Sequence, residues 1–176
     1  WESNNKIDVL ISEECSPVEY TLTKKIRTNK EIVNFIKLLF NRKTTGESFS
    51  EKIHIKYFKT STHARNYLRF LKLSKAFKVI NFTPSRGQYS YVEYQITDEK
   101  DNAHSVIGQE FEKVATIIDK NFYYKDDVLS YNDRTYYALP KMLFQILTRT
   151  RKELFIVIID NPEVLDRSLS ILRRSI

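Results

Sequence analysis

Glycine is scarce in this chain: the three present among 176 residues stand far apart, which leaves no Gly-rich loop of the kind that cradles a phosphate. Cysteine is scarcer still. The single Cys15 excludes an internal disulfide, and with only His54, His63 and His104 to join it there is no tetrahedral zinc set at a usual spacing. Long apolar runs are missing too. The longest, Leu154 to Ile159, is six residues, too short for a membrane-crossing helix, and no basic-then-apolar leader opens the chain. The expectation is an intracellular, metal-free protein without a membrane span.

Apolar residues make up 41% of the chain and aromatics 13%, with eleven Tyr and eleven Phe, enough for a packed core and too much for wholesale disorder. The length suits one ordinary domain or two very small ones. The chain opens on Trp1 and runs to Ile176 through an amphipathic pattern, so it reads as the C-terminal piece of something longer.

The net charge of +7 is unevenly spread. The first nineteen residues carry five acids (Glu2, Asp8, Glu13, Glu14, Glu19) against Lys6 alone, and contain one short apolar run, Ile7 to Ile11. Residues 52–86 hold nine bases and no acid, which points to a negatively charged partner. From residue 100 onward twelve bases meet eleven acids, and the polar stretch Thr97 to Asn102 reads as a linker between two units.

Asn29 is a suitable N-cap for a helix whose stripe is Ile32, Val33, Phe35, Ile36, Leu39 and Phe40. Residues 50–58 are brief and fit a short helix. Ser61 or Thr62 caps the next helix, with Ala64, Tyr67, Leu68 and Leu71 inward and Arg65, Arg69 and Lys72 outward. From Phe77 the period shortens, through Phe82, Pro84-Ser-Arg-Gly-Gln88 and the run Tyr89, Tyr91, Val92, Tyr94, Ile96, which predicts a hairpin turning at Arg86-Gly87. In the second half, Ile107, Phe111, Val114, Ile117, Ile118 and Phe122 predict one amphipathic helix. Pro140 opens another with Met142, Leu143, Ile146 and Leu147. Leu154 to Ile159 reads as a strand, and Asp160 or Asn161 with Pro162 starts a last helix striped by Leu165, Leu169, Leu172 and Ile176.

The expected fold class is α+β and mostly helical: two tandem winged helix-turn-helix units, with 1–22 a leader, 23–99 the first unit and 100–176 a second, winged-helix-like unit. The expected binding residues are Arg65, Arg69, Lys72, Lys75 and Arg86. They suit a helix in a DNA groove, with guanidinium groups on base edges and lysines on phosphate, or a face that docks an acidic protein. A solvated helix face is the plain alternative. Tyr89, Tyr91 and Tyr94 could stack unpaired bases or simply form cross-strand pairs. Asp119, Asp126, Asp127 and Asp133 lack the companions of a nuclease or phosphate-loop pattern, and the histidines lack a nucleophile partner, so no catalytic residue, metal or cofactor is assigned.

The order Asn29 to Arg42, Thr62 to Lys75 and the hairpin around Pro84-Ser-Arg-Gly-Gln88 resembles the C-terminal winged-helix region of the budding-yeast Stn subunit of the CST telomere-capping complex, a relative of the middle subunit of replication protein A. The resemblance implies a nuclear, non-catalytic adaptor at chromosome ends. Its partners would be the polymerase α B subunit and the large telomere-binding subunit, with weak DNA contact besides. The alternative is a duplex DNA-binding winged-helix regulator or replication initiator.

Overall fold

The computed structural model describes residues 13–14, 28–44, 50–84, 95–96, 100–132 and 135–173. Helix α1 spans Lys30–Phe40, strand β1 Ile53–Phe58, helix α2 Ser61–Lys75 and strand β2 Lys78–Val79. Strand β3 is Phe111–Ile118, and β4 (Phe122–Lys125) and β5 (Val128–Tyr131) follow it. Helix α3 (Leu139–Leu147), strand β6 (Thr150–Ile159) and helix α4 (Pro162–Arg173) complete the order. Four strands form one parallel sheet in the order β1-β6-β3-β2, and β4 and β5 form a separate antiparallel hairpin.

This is an α/β sheet, and it corrects the expectation of two tandem winged helices. β1, from the first half, pairs residue for residue with β6, from the second, Ile53 opposite Leu154 through Phe58 opposite Ile159. Both halves therefore build one sheet. The stretch expected to be an amphipathic helix from Ile107 to Phe122 holds β3 at its centre. Its apolar positions fit a helical spacing, but Val114, Thr116, Ile117 and Ile118 are β-branched and Val114 to Ile118 are all buried. A central parallel strand covered on both faces needs that continuous burial, and branched side chains suit the pleat. The segment expected as a short helix at 50–58 is β1, where Ile53, Ile55 and Tyr57 alternate with His54, Lys56 and Phe58. Lys78 and Val79 form no arm of a hairpin among the described residues. They pair in parallel with Val114 and Ala115. Arg86, Tyr89, Tyr91 and Tyr94 lie outside the described residues.

Other elements form where local signals placed them. Asn29 caps α1, its side chain accepting from Glu31 N at 2.9 Å, an arrangement worth about 1 kcal/mol. Pro140 sits in the first turn of α3. The last helix starts at Pro162, and Asn161 caps it by accepting from Val164 N at 3.0 Å. Its fully buried positions are Val164, Ser168 and Ile171 rather than the expected leucines, and Leu165 and Leu172 pack half-buried beside them.

Helices α1, α3 and α4 and the hairpin share one face of the sheet, and α2 occupies the other. On the first face the contacts are dense and polar groups are placed to hold them. Arg167 forks onto Leu38 O (Nε 3.1 Å, NH2 2.6 Å) and reaches Asn41 O at 3.3 Å, satisfying carbonyls at the end of α1. Tyr124 donates its hydroxyl to Leu39 O at 2.7 Å, Arg42 lies 3.7 Å over its ring, and burial raises its phenol above the usual range. The hairpin turns on Asp126 and Asp127, both at positive φ (51° and 67°), as a two-residue type I′ turn requires.

Candidate nucleic-acid interface

The residue that opens the exposed layer is Thr60, whose side chain accepts from His63 N and starts α2. Ala64, Leu68 and Leu71 then fall on one side and are fully covered by the sheet. At 3.6 residues per turn, Arg65, Arg69 and Lys72 occupy one flank, Phe70 and Leu73 the outer crest, and Tyr67 the opposite flank. Phe70 is 44% and Leu73 81% exposed, although a helix stripe meant only for the core would leave neither outside. The helix ends at Ala76, in the left-handed region with φ 55°, and Phe77 N closes back onto Leu71 O at 3.1 Å.

The basic run is sorted by its neighbours. Lys52 pairs with Glu31 at 3.5 Å, Lys59 with Asp160 at 2.8 Å, and Lys78 with Asp101. Among the described residues, Arg65, Arg69 and Lys75 have no carboxylate within ion-pair distance. The structure thus brings Arg65, Arg69 and Lys72 onto one flank as expected. It sets Lys75 apart, since the wheel places it above Leu68 and Leu71, in the last turn, where its charge complements the carbonyl end of the helix. Arg86 is among the residues not described.

An aromatic seam runs down the other flank. Phe70 meets Tyr67 (ring centroids 5.7 Å apart), Tyr67 meets Phe155 on β6 (5.6 Å), and Phe155 stacks with His54 on β1 (5.6 Å, planes 24° apart). Phe58 and Phe77 brace it from the sides at 5.3 Å from Tyr67 and 5.7 Å from Phe155. Tyr67, Phe58 and Phe155 are only partly buried at the margin of the cluster under α2. Near the foot of the seam Glu153 takes an ion pair from Lys113 at 2.7 Å and lies 3.6 Å from His54 Nε2, and exposed Lys56 follows on β1. Of these groups, the sequence placed Tyr67 in the core, Phe155 in a strand and His54 without a chemical partner, and left Phe70 unassigned. Phe70 and Leu73 were the available signal, as apolar residues off the stripe of their helix.

The carboxylates do not gather. Asp119 is fully buried in the turn after β3, where it accepts from Asn121 N (2.9 Å) and the Tyr131 hydroxyl (2.9 Å). Asp126 and Asp127 form the hairpin turn, and Asp133 is not described. No group of three or more His, Cys, Asp or Glu side chains among the described residues could hold a metal ion. No described helix is long and apolar enough to cross a membrane.

No family model matches the chain. No curated protein matches it. Among solved structures, it is similar to the crystal structure of the C-terminal domain of a possible DNA helicase from Lactobacillus plantarum WCFS1, with 14% identity and a TM-score of 0.31 over 80% of this chain and 92% of that one. A likeness at that level does not establish a shared fold.

Proposed function

We propose that this domain binds single-stranded nucleic acid across the outer face of α2. The observation that carries the reading is one helix presenting two chemistries side by side: a flank with Arg65 and Arg69 free of carboxylate partners among the described residues, and a crest and flank of exposed or half-exposed rings continuing onto the sheet. Arginine and lysine neutralise phosphates at any sequence, and Arg65, Arg69 and Lys72 supply that contact along one side of the strand. Bases turned over the crest meet Phe70 first, then Tyr67 and Phe155. Each such stack is worth about 1–3 kcal/mol and needs no particular base. A duplex keeps its base faces stacked inside and gains nothing from the seam. The described residues build a parallel sheet in place of the tandem winged helices on which the telomere-capping adaptor rested, and the hairpin expected at Arg86-Gly87 lies outside them, so the reading rests on the basic helix. Telomeric partners enter it nowhere.

The test is fluorescence anisotropy of a labelled oligo-dT and of a duplex of equal length, at about 50 and 200 mM salt, where electrostatic binding falls steeply. Single-strand binding tighter than duplex binding is expected. Phe70→Ala should weaken the single strand about tenfold and leave the duplex nearly unchanged, about 1.4 kcal/mol for one stack. Arg65→Gln with Arg69→Gln should weaken both and flatten the single-strand salt slope by about 1.4. Equal affinity for both forms with no response to Phe70→Ala would overturn the single-strand reading, and no binding at about 50 mM salt would overturn nucleic-acid binding altogether.

A further inference from the structure

We propose that the acidic N-terminal segment, residues 1–19, docks on the same face of α2 and competes there with nucleic acid; the competition, though not the docking, rests on the reading above. Charge complementarity is the first ground. The segment holds five acids and one base, while α2 holds Arg65, Arg69, Lys72 and Lys75 and no acid at all. Apolar matching is the second. The apolar residues Val9 to Ile11 stand between Asp8 and Glu13 just as Phe70 and Leu73, 44% and 81% exposed, stand among the bases. Within the segment, the described residues Glu13 and Glu14 are helical and exposed, with no ion pair to a described residue.

Reach is the third ground. Thr28 is fixed by its hydroxyl to Thr148 O at 3.0 Å, in the turn leading into β6, hence at the edge of the sheet where the parallel strands begin. The C-terminal end of α2 lies at that same edge, since Lys75 is followed within three residues by the start of β2. β2 stands two places from β6, about 10 Å at the usual strand spacing, and α2 lies on the face opposite α1, about 10 Å further across the layers. Residues 20–27 can extend about 26 Å. The segment can therefore reach α2 without disturbing any described element. A tether of this length sets an effective concentration of about a millimolar, so an intrinsic affinity near 0.1 mM is enough to lower apparent oligonucleotide affinity about tenfold.

Trp1 is the chain's single tryptophan and lies in the segment, so its emission reports docking directly. The intact chain is measured first without nucleic acid, at micromolar concentration and about 50 mM salt. Trp1 anisotropy should be high, and should fall in the Arg65→Gln, Arg69→Gln variant and at about 500 mM salt. An anisotropy that ignores both changes overturns the docking. One that falls on dilution assigns α2 to the segment of a second copy, and also overturns it. With oligo-dT added, Trp1 anisotropy should drop as the segment is displaced, and the Glu13→Gln, Glu14→Gln, Glu19→Gln variant should bind oligo-dT several-fold tighter. Unchanged affinity in that variant overturns the competition. If no variant binds oligo-dT, the nucleic-acid reading fails, while the Trp1 measurement still decides docking.

Discussion

The two faces of the parallel sheet are built to different depths. On one, three helices and a hairpin enclose twenty-four buried apolar residues among those described; on the other, α2 is the one helix among the described residues, and the ten buried apolar residues there include Ile96 from beyond the helix and the sheet. Parallel sheets ordinarily have both faces covered, because their strands carry apolar side chains to both sides. Among the described residues, the second face is covered by α2 with Ile96 beside it. Phe155 and Tyr67 remain half out and His54 stacks at the margin. Stability and the proposed binding thus fall on opposite faces of the sheet. The deep face spends its polar side chains on internal bonds, as Arg167 and Tyr124 do, whereas the shallow face leaves bases and rings available.

The largest effects should come from equal truncations on the two faces. Leu39 and Leu68 are both fully buried, the first in the deep cluster and the second under α2. Leucine-to-alanine changes in cores cost about 2.7–5.0 kcal/mol, more where the surroundings cannot collapse. Leu39→Ala should fall near the top of that range, about 4–5 kcal/mol, and Leu68→Ala near the bottom, about 3 kcal/mol, because one helix can settle onto its sheet. Urea unfolding of both variants measures this. Equal costs would show that the two faces are closed alike, and a larger cost at Leu68 would make the α2 face the tighter one.

A polar clip on the deep face comes next. Asn161 is 3% exposed; its Nδ2 donates to Asp119 O at 2.8 Å and Phe122 O at 2.7 Å, and its Oδ1 accepts from Val164 N. It thus ties the end of β6 and the start of α4 to the turn after β3. Asn161→Ala removes a cap worth about 1 kcal/mol, takes the amide donor from Phe122 O and leaves Asp119 O with Phe122 N at 3.3 Å, so a loss of about 2–3 kcal/mol is expected. Asn161→Asp should recover the cap alone, since a carboxylate accepts but cannot donate to the two carbonyls. A loss below about 1 kcal/mol in the alanine variant would show that water replaces the clip and that the deep face is less closed than its burial indicates.

Local signals were legible where a cap or a proline marks the end of an element. Asn29 before α1, Pro140 in α3 and Asn161-Pro162 before α4 each placed a helix, and Leu154 to Ile159 read as a strand. β3 was misread because Ile107, Phe111, Val114, Ile118 and Phe122 happen to recur at helical intervals, while the β-branched run Val114 to Ile118, broken only by Ala115, argued otherwise. The alternation in β1 was visible too, but six residues decide little without a partner. That partner, β6, stands about a hundred positions away, and no local pattern encodes a parallel pairing at such separation. The basic flank of α2 was legible from composition and spacing. The seam was not, because Tyr67, Phe155 and His54 come from three separate elements and meet only once the sheet has formed.

The smallest expected effect lies at the carboxyl end of the sheet, where the acid-free run is already neutralised. Asp160, at φ 44°, accepts from Lys59 at 2.8 Å, which holds its carboxyl below the ordinary value of 3.8; the nearby Tyr57 hydroxyl and Lys120 act in the same direction. The Lys59 ammonium is raised in turn by Asp160. A carboxylate with a depressed folded pKa adds stability that is present above its unfolded pKa and is lost as pH falls through the folded value. Lys59→Met should therefore raise the Asp160 pKa in a carbon-detected NMR titration, and should narrow the gap in urea midpoint between wild type and variant as pH falls below about 4. The pair is open to solvent, so the difference at neutral pH should be small and should shrink with added salt. An Asp160 pKa unmoved by Lys59→Met would mean that Lys59 is not held there in solution. In that case Lys59 joins Arg65 and Arg69 as a cation free for a polyanion, and the basic surface extends past the start of α2 instead of ending at it.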